Sequence, residues 1–234
     1  MSVVLPAHPA LLFDLDGTLI DLAPTPEAVV VPPGLRASLA ALGARLAGAV
    51  AIVSGRPVAQ VTGLLGDVVP TVAGEHGAAL RWRPGEAEER PPLPPLPADW
   101  PARAEAAVAA WPGTLCERKA HGLVLHFRRC PAAGEALRRA AEALAGEAPE
   151  AFALVPAAMA WELRPRGVDK AGAVARIMAR PPFAGRTPVY LGDDVTDEDG
   201  RRAARALGGL GLEVARDFGG PAGVRAWLAE LVRA

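Results

Sequence analysis

Three stretches of the chain are apolar without alternation: 10–14 (ALLFD), 49–54 (AVAIVS) and 187–191 (TPVYL). Each has strand length, and each gives way to glycine and polar residues, as DLDGT, SGR and GDD. Unbroken apolar runs suit strands buried on both faces, as in a parallel sheet covered by helices. The stretches between them predict helices over 33–46, 57–65, 169–179 and 196–207. A further short strand closing at Val214 and a terminal helix over 221–232 complete this set. Strands alternating with helices predict an open α/β sheet.

The middle of the chain breaks that rhythm. PPLPPLP at 91–97 is a stiff extended linker. After it the pattern predicts a helix (99–111), strands (113–119 and 122–128), a helix (131–146) and strands (152–155 and 159–163). The order αββαββ describes an α+β unit with antiparallel hairpins. The expected fold class is therefore α/β: an open, Rossmann-like parallel-sheet core with an inserted α+β cap domain. Residues 1–95 and 165–234 would form the core and 96–164 the cap.

A length of 234 residues suits one core carrying one small insertion. With 25 basic against 26 acidic residues there is no global pull toward nucleic acid or an anionic membrane, and neither is an expected partner. No apolar stretch approaches the ~18 residues of a membrane span, and residues 1–10 lack the basic start of a signal peptide. A cytoplasmic protein is the expectation. Cys116 and Cys130 are too few for a disulfide framework and read as packing residues. Asparagine is absent, and only Lys119 and Lys170 are lysines. Where nearly every cation is arginine, a position that stays lysine reflects either chance or a need for a compact ammonium.

In open α/β sheets the site lies at the carboxyl ends of the strands. DLDGT, SGR and GDD converge on that edge, and Lys170 opens a helix near it. Massed carboxylates need a cation among them, and an oxygen-only ligand set points to magnesium. The set fits phosphoryl transfer, in which a carboxylate attacks an anion screened by metal, ammonium and amides. Asp14 is the candidate nucleophile and Asp16 the candidate general acid and base. Thr18, Ser54, the Gly55 amide and Lys170 are candidates to hold the phosphoryl oxygens. Asp193 completes the metal shell, with Asp194 and Asp197 behind it as ligand or support. Blander readings stand beside these: Ser54 as a helix cap, Asp197 as a helix N-terminal acid and His76 as a residue of a tight turn.

Asp14-Leu15-Asp16-Gly17-Thr18, Ser54, Lys170 and Gly192-Asp193-Asp194 resemble the four ordered motifs of the haloacid dehalogenase superfamily. Within it, the chain is similar to the trehalose-6-phosphate phosphatase family. LFDLDGTLIDLAPTPEAVVVP, VSGRPVAQV, GEHG, ERKAHGLVLHFR, WELRPRGVDK and LGDDVTDEDG carry that likeness through core and cap. The resemblance implies Asp14 as nucleophile, Asp16 as acid and base, and magnesium on Asp14, Asp16 (through its carbonyl) and Asp193. Trehalose 6-phosphate would be the substrate of a monomer, with association with the matching synthase left open. Arg56, His76, Glu117, Lys119, His126, Arg128 and Glu162 are the implied substrate-binding residues. The four from Glu117 to Arg128 could line one surface if paired strands present them together, although a solvent-facing hairpin with charge pairs has the same pattern. A capped phosphatase for sucrose 6-phosphate or mannosyl-phosphoglycerate, or a silent sugar-phosphate-binding module, are the other readings. Two positions depart from the family pattern: Arg201 follows Gly200 where an apolar aromatic is usual, and Ala171 follows Lys170 where glycine is common.

Overall fold

The computed structural model describes residues 3–23, 28–119, 121–157 and 159–233. Residues 24–27, inside the first of the family-like stretches, and residue 120, inside another, lie outside that set. The chain divides into two compact units, Met1–Pro91 with Asp169–Ala234, and Pro92–Val168.

In the first unit the apolar runs become β1 (Pro9–Phe13), β2 (Val50–Val53) and β9 (Thr187–Gly192). They sit side by side in a six-stranded sheet of order β10-β9-β1-β2-β3-β4, where β3 is Thr71–Gly74, β4 Ala79–Arg81 and β10 Leu210–Glu213. Every pairing is parallel except β3 with β4, so an antiparallel edge strand is added to the expected parallel sheet. The unbroken apolar runs have a direct cause. Leu11, Phe13, Val50, Ile52, Val189 and Leu191 face one core with helices α1 (Leu35–Arg45), α2 (Val58–Leu65) and α8 (Pro221–Arg233). Ala10, Leu12, Ala51, Val53 and Tyr190 face the other, with α5 (Lys170–Met178) and α6 (Asp197–Ala206). Both faces of the sheet are covered, so these central strands are apolar almost throughout.

The sequence reading missed β3 and β4, whose three or four residues carry no period of their own. It also misplaced Val214. The strand ends at Glu213, and Val214 begins a one-turn helix, α7 (Val214–Phe218), where it packs into the core.

The second unit follows the expected αββαββ order: α3 (Trp100–Ala109), β5 (Leu115–Lys119), β6 (Gly122–His126), α4 (Gly134–Glu147), β7 (Phe152–Ala157) and β8 (Ala160–Pro165). Its antiparallel sheet has the order β5-β6-β8-β7. Here the strands alternate. Leu123, Leu125, Leu163 and Phe152 pack with Trp100, Ala104, Leu137 and Leu144 from the two helices. Cys116 and Cys130 are free thiols packed against this cluster, and burial pushes the Cys116 thiol up from its ordinary value. Trp161 lies on the helix side, donating its Nε1 proton to Gly134 O at 2.8 Å. Among the described residues no helix is long and apolar enough to cross a membrane.

Trp100 anchors the small core. Its ring centroid lies 5.0 Å from that of Phe152, and its indole donates to Glu147 at 3.2 Å. Trp100→Ala is expected to destabilise this unit by about 3–5 kcal/mol, read as a lower urea midpoint for its unfolding.

Candidate active site

The parallel register brings the C-terminal ends of β1, β2 and β9 together, and the next residue of each chain segment is polar. Asp14 follows β1 and donates its backbone N–H to Leu191 O at 2.9 Å. Ser54 follows β2 and is tied to β3 by its N–H to Ala73 O at 2.9 Å. Asp193 follows β9. Lys170 is the first residue of α5, whose N-terminus is fixed by the Asp169 side chain accepting from Gly172 N at 2.7 Å.

Lys170 stands at the centre. Its Nζ donates to Asp14 Oδ1 at 2.7 Å and to Asp197 Oδ1 at 2.6 Å, with all three side chains nearly sealed from solvent. Asp197 is met by two further protein donors, Tyr190 OH at Oδ1 (2.6 Å) and Asp194 N at Oδ2 (3.1 Å). Carboxylate oxygens of Asp14, Asp193 and Asp197 all lie within 4.8 Å of one another. Three acids against one ammonium leave uncompensated negative charge, and the carboxyls register it. Burial, opposed by Lys170 and reinforced by Asp197, pushes Asp14 up to about 7. Burial, then Asp197 and Asp194, pushes Asp193 up to about 6. Burial works against the Lys170 charge, but Asp14 and Asp197 outweigh it and hold the ammonium above its ordinary range. Burial and then Asp197 drive the Tyr190 phenol well above its ordinary value. A cluster of hard oxygen donors with excess negative charge fits a divalent cation.

The turns that shape this edge require glycine. Gly17 has φ 77°, and a Cβ there would lie 2.1 Å from Asp193 Oδ2. A Cβ on Gly192 would lie 2.2 Å from Asp197 Cγ. Asp16 points into a bidentate pair with Arg56, with Nε to Oδ2 and Nη2 to Oδ1 both at 2.6 Å. Thr18 is fully buried, and its hydroxyl reaches Asp193 Oδ1 at 3.4 Å. Ser54 Oγ accepts from Arg56 N at 3.1 Å, whereas α2 begins after Pro57 with no side-chain cap, so Ser54 is not the cap of that helix. His76 does ride a tight turn. Both Glu75 (φ 52°) and His76 (φ 56°) are left-handed, a cost of roughly 1–3 kcal/mol each. The turn is held by Glu75 N to Arg56 O and His76 N to Ser54 O, both 3.0 Å, and the His76 ring packs where a Cβ on Gly55 would be.

Of the five aspartates proposed for a metal, the structure gathers Asp14, Asp193 and Asp197. The Asp16 carboxylate is held by Arg56. Asp194 is exposed, and its Oδ1 accepts from Val195 N at 2.6 Å. In the second unit, β-sheet register puts Glu117, Lys119, His126 and Glu162 on the face opposite its helices. They pair across strands, His126 Nε2 with Glu117 Oε2 and Lys119 Nζ with Glu162 Oε1, both at 2.9 Å. Arg128 does not share that strand face, because β6 ends at His126 and Arg128 lies exposed beyond it. Sequence reasoning missed Tyr190, the chain's only tyrosine, and Arg164, two residues beyond Glu162 on the same strand and buried with it. Period-two spacing from Glu162 was the available signal for Arg164.

The model of the family described as Trehalose-phosphatase matches residues 12–221. The chain belongs to the trehalose-phosphatase family. It is 39% identical over 208 residues to a "Probable trehalose-phosphate phosphatase" of Sinorhizobium fredii, covering 88% of this chain and 77% of that protein. It is 35% identical over 210 residues to the "Trehalose-6-phosphate phosphatase" of Escherichia coli, covering 90% and 79%. Among solved structures, the C-terminal domain of Candida albicans trehalose-6-phosphate phosphatase superposes with a TM-score of 0.74 at 21% identity, covering 97% and 92%. That last likeness bears on fold alone, which is of the haloacid dehalogenase type. Membership of the trehalose-phosphatase family and the aspartate cluster make the protein a phosphatase, hydrolysing phosphoric monoesters.

The raised carboxyls have a consequence for stability. In the unfolded chain Asp14 and Asp193 release protons near 3.8; folded, they keep them to about 7 and 6. The folded state therefore binds more protons, and the stability they contribute, full below about pH 4, is lost as pH rises through 6 and 7. A divalent cation offsets this loss where the carboxylates are ionised. An added divalent cation is expected to raise the melting temperature more at about pH 7.5 than at about pH 5, as thermal denaturation with and without a chelator would show.

Proposed function

We propose that the protein is a magnesium-dependent phosphatase that hydrolyses trehalose 6-phosphate to trehalose and inorganic phosphate through an aspartyl-phosphate on Asp14. The observation that carries the reading is the buried ammonium of Lys170 shared by Asp14 and Asp197, with Asp193 alongside. Lys170 holds Asp14 Oδ1, which leaves Oδ2 as the attacking atom. Magnesium would be held by Asp14 and Asp193, the backbone carbonyl of Asp16 and, from behind, Asp197. When bound, it would screen the phosphate oxygens from the attacking carboxylate.

The other groups divide the remaining work. As Asp14 Oδ2 bonds to phosphorus, the bond to the sugar oxygen breaks and Asp16 delivers a proton to that oxygen. Asp16 then takes a proton from water, which attacks the phosphorus and releases phosphate and Asp14. Both oxygens of Asp16 are held by Arg56, so carrying a proton requires the guanidinium fork to give one of them up. Ser54, accepting from Arg56 N, keeps its O–H as a donor for a phosphoryl oxygen. The Gly55 amide and Thr18 stand beside it in this role.

The family supports trehalose 6-phosphate as substrate, and the polar sheet face of the second unit supports recognition of a polyhydroxylated group. Glu117, Lys119, His126 and Glu162 offer donors and acceptors together, as a disaccharide of hydroxyls demands. A substrate carrying an additional carboxylate, such as mannosyl-phosphoglycerate, would call for a spare cation there, whereas Lys119 is already paired with Glu162.

Two outcomes follow. Asp14→Asn is expected to abolish phosphate release while leaving the circular dichroism spectrum intact, and near-normal turnover would sink the nucleophile assignment. Lys119→Ala is expected to raise KM for trehalose 6-phosphate while leaving hydrolysis of a small aryl phosphate unchanged. Equal loss on both substrates would remove the second unit from sugar recognition.

A further inference from the structure

Arg201 lies inside α6, where 7% of its surface is exposed. Burying a guanidinium is unfavourable unless its donors are met, and here they meet the loop that carries Asp193. Nη1 donates to Gly192 O at 2.8 Å and Nη2 reaches Asp194 O at 3.5 Å. Those two carbonyls flank Asp193 on either side. Nε is fixed in turn by Glu198 Oε2 at 2.9 Å, one turn back on the same helix.

Asp193 needs such support. Among the described residues, its carboxylate is met by the long hydrogen bond from Thr18, at 3.4 Å, and by the backbone N–H of Asp193 itself. Its neighbour Asp194 is tied to α6 by Asp194 N to Asp197 Oδ2 at 3.1 Å and Asp197 N to Asp194 O at 3.1 Å. The orientation of the Asp193 side chain is therefore set by how its backbone is held. Arg201 meets Asp193 through the backbone carbonyls on either side of it.

We propose that Arg201 is a positioning residue: it clamps the carbonyls on both sides of Asp193 and so aims that carboxylate at a divalent cation. The inference rests on the metal reading of the aspartate cluster. It explains why an arginine occupies a helix position that otherwise suits an apolar side chain. A planar fork reaches two carbonyls at once, and a lysine reaches one.

The test is Mg2+ binding to the full chain by isothermal titration calorimetry, without substrate. Arg201→Met keeps the apolar stem and removes every donor; Arg201→Lys keeps the charge and loses the fork. Both variants are expected to lose about 10–100-fold in Mg2+ affinity, the usual effect of removing support behind a ligand. Both should retain kcat near wild type once Mg2+ is saturating. Amide hydrogen exchange over 190–197, measured without cation, should quicken in both. Wild-type affinity in either variant overturns the clamp, even where the melting temperature falls, since packing alone predicts that result. If Arg201→Met does not fold, Arg201→Lys decides the matter by the same readings. A wild-type chain that takes up no Mg2+ overturns the metal reading and the clamp with it.

Discussion

One buried ammonium organises the catalytic edge. Lys170 joins the first turn of α5 to the residue after β1 and to the first residue of α6. Desolvating these groups is costly, and removing one partner of such a buried set typically costs roughly 3–5 kcal/mol because the others stay charged and uncompensated. Two nearby carboxylates would repel each other without it. The position of Asp14 and the donor set around Asp197 are both conditioned by this contact. Arginine could not take its place without a wider, flatter site, which gives the scarcity of lysine in the chain a physical meaning.

Around that contact the supporting residues act through backbone. Gly17 and Gly192 let carboxylates approach within distances that a Cβ would forbid. The strained Glu75–His76 turn is stapled to the Ser54–Arg56 loop by two backbone hydrogen bonds. The sheet supplies fixed strand ends, and the turns after them supply aim. Such a division keeps the chemistry on short, tightly held segments.

Much of this was legible in the sequence because the signals were local and physical. Runs such as 49–54 cannot alternate when both sheet faces are covered, and they marked the central strands without ambiguity. DLDGT, SGR and GDD each ended such a run, so their meeting followed from the parallel sheet. Strands β3 and β4 were not legible because three or four residues are too few to show a period. Val214 misled because a strand and a one-turn helix meet there without a turn residue between them. The roles of Tyr190 and Arg201 could not be read, because both act on partners that only the folded helix α6 and its loop bring near. Arg128 was assigned to a strand face that stops two residues short of it.

The second unit's sheet has one apolar face closed by two helices and an opposite face on which Glu117, Lys119, His126 and Glu162 stand beside Val124 and Ala160. Core and charged residues therefore interleave along the chain yet share almost no side chains. Glu117, Lys119, His126 and Glu162 take no part in the packing of Trp100, Leu125 and Phe152. Mutation can explore new preferences on one register of the strands while the other register keeps the domain folded. In evolutionary terms, the pleat separates what must be preserved from what is free to drift.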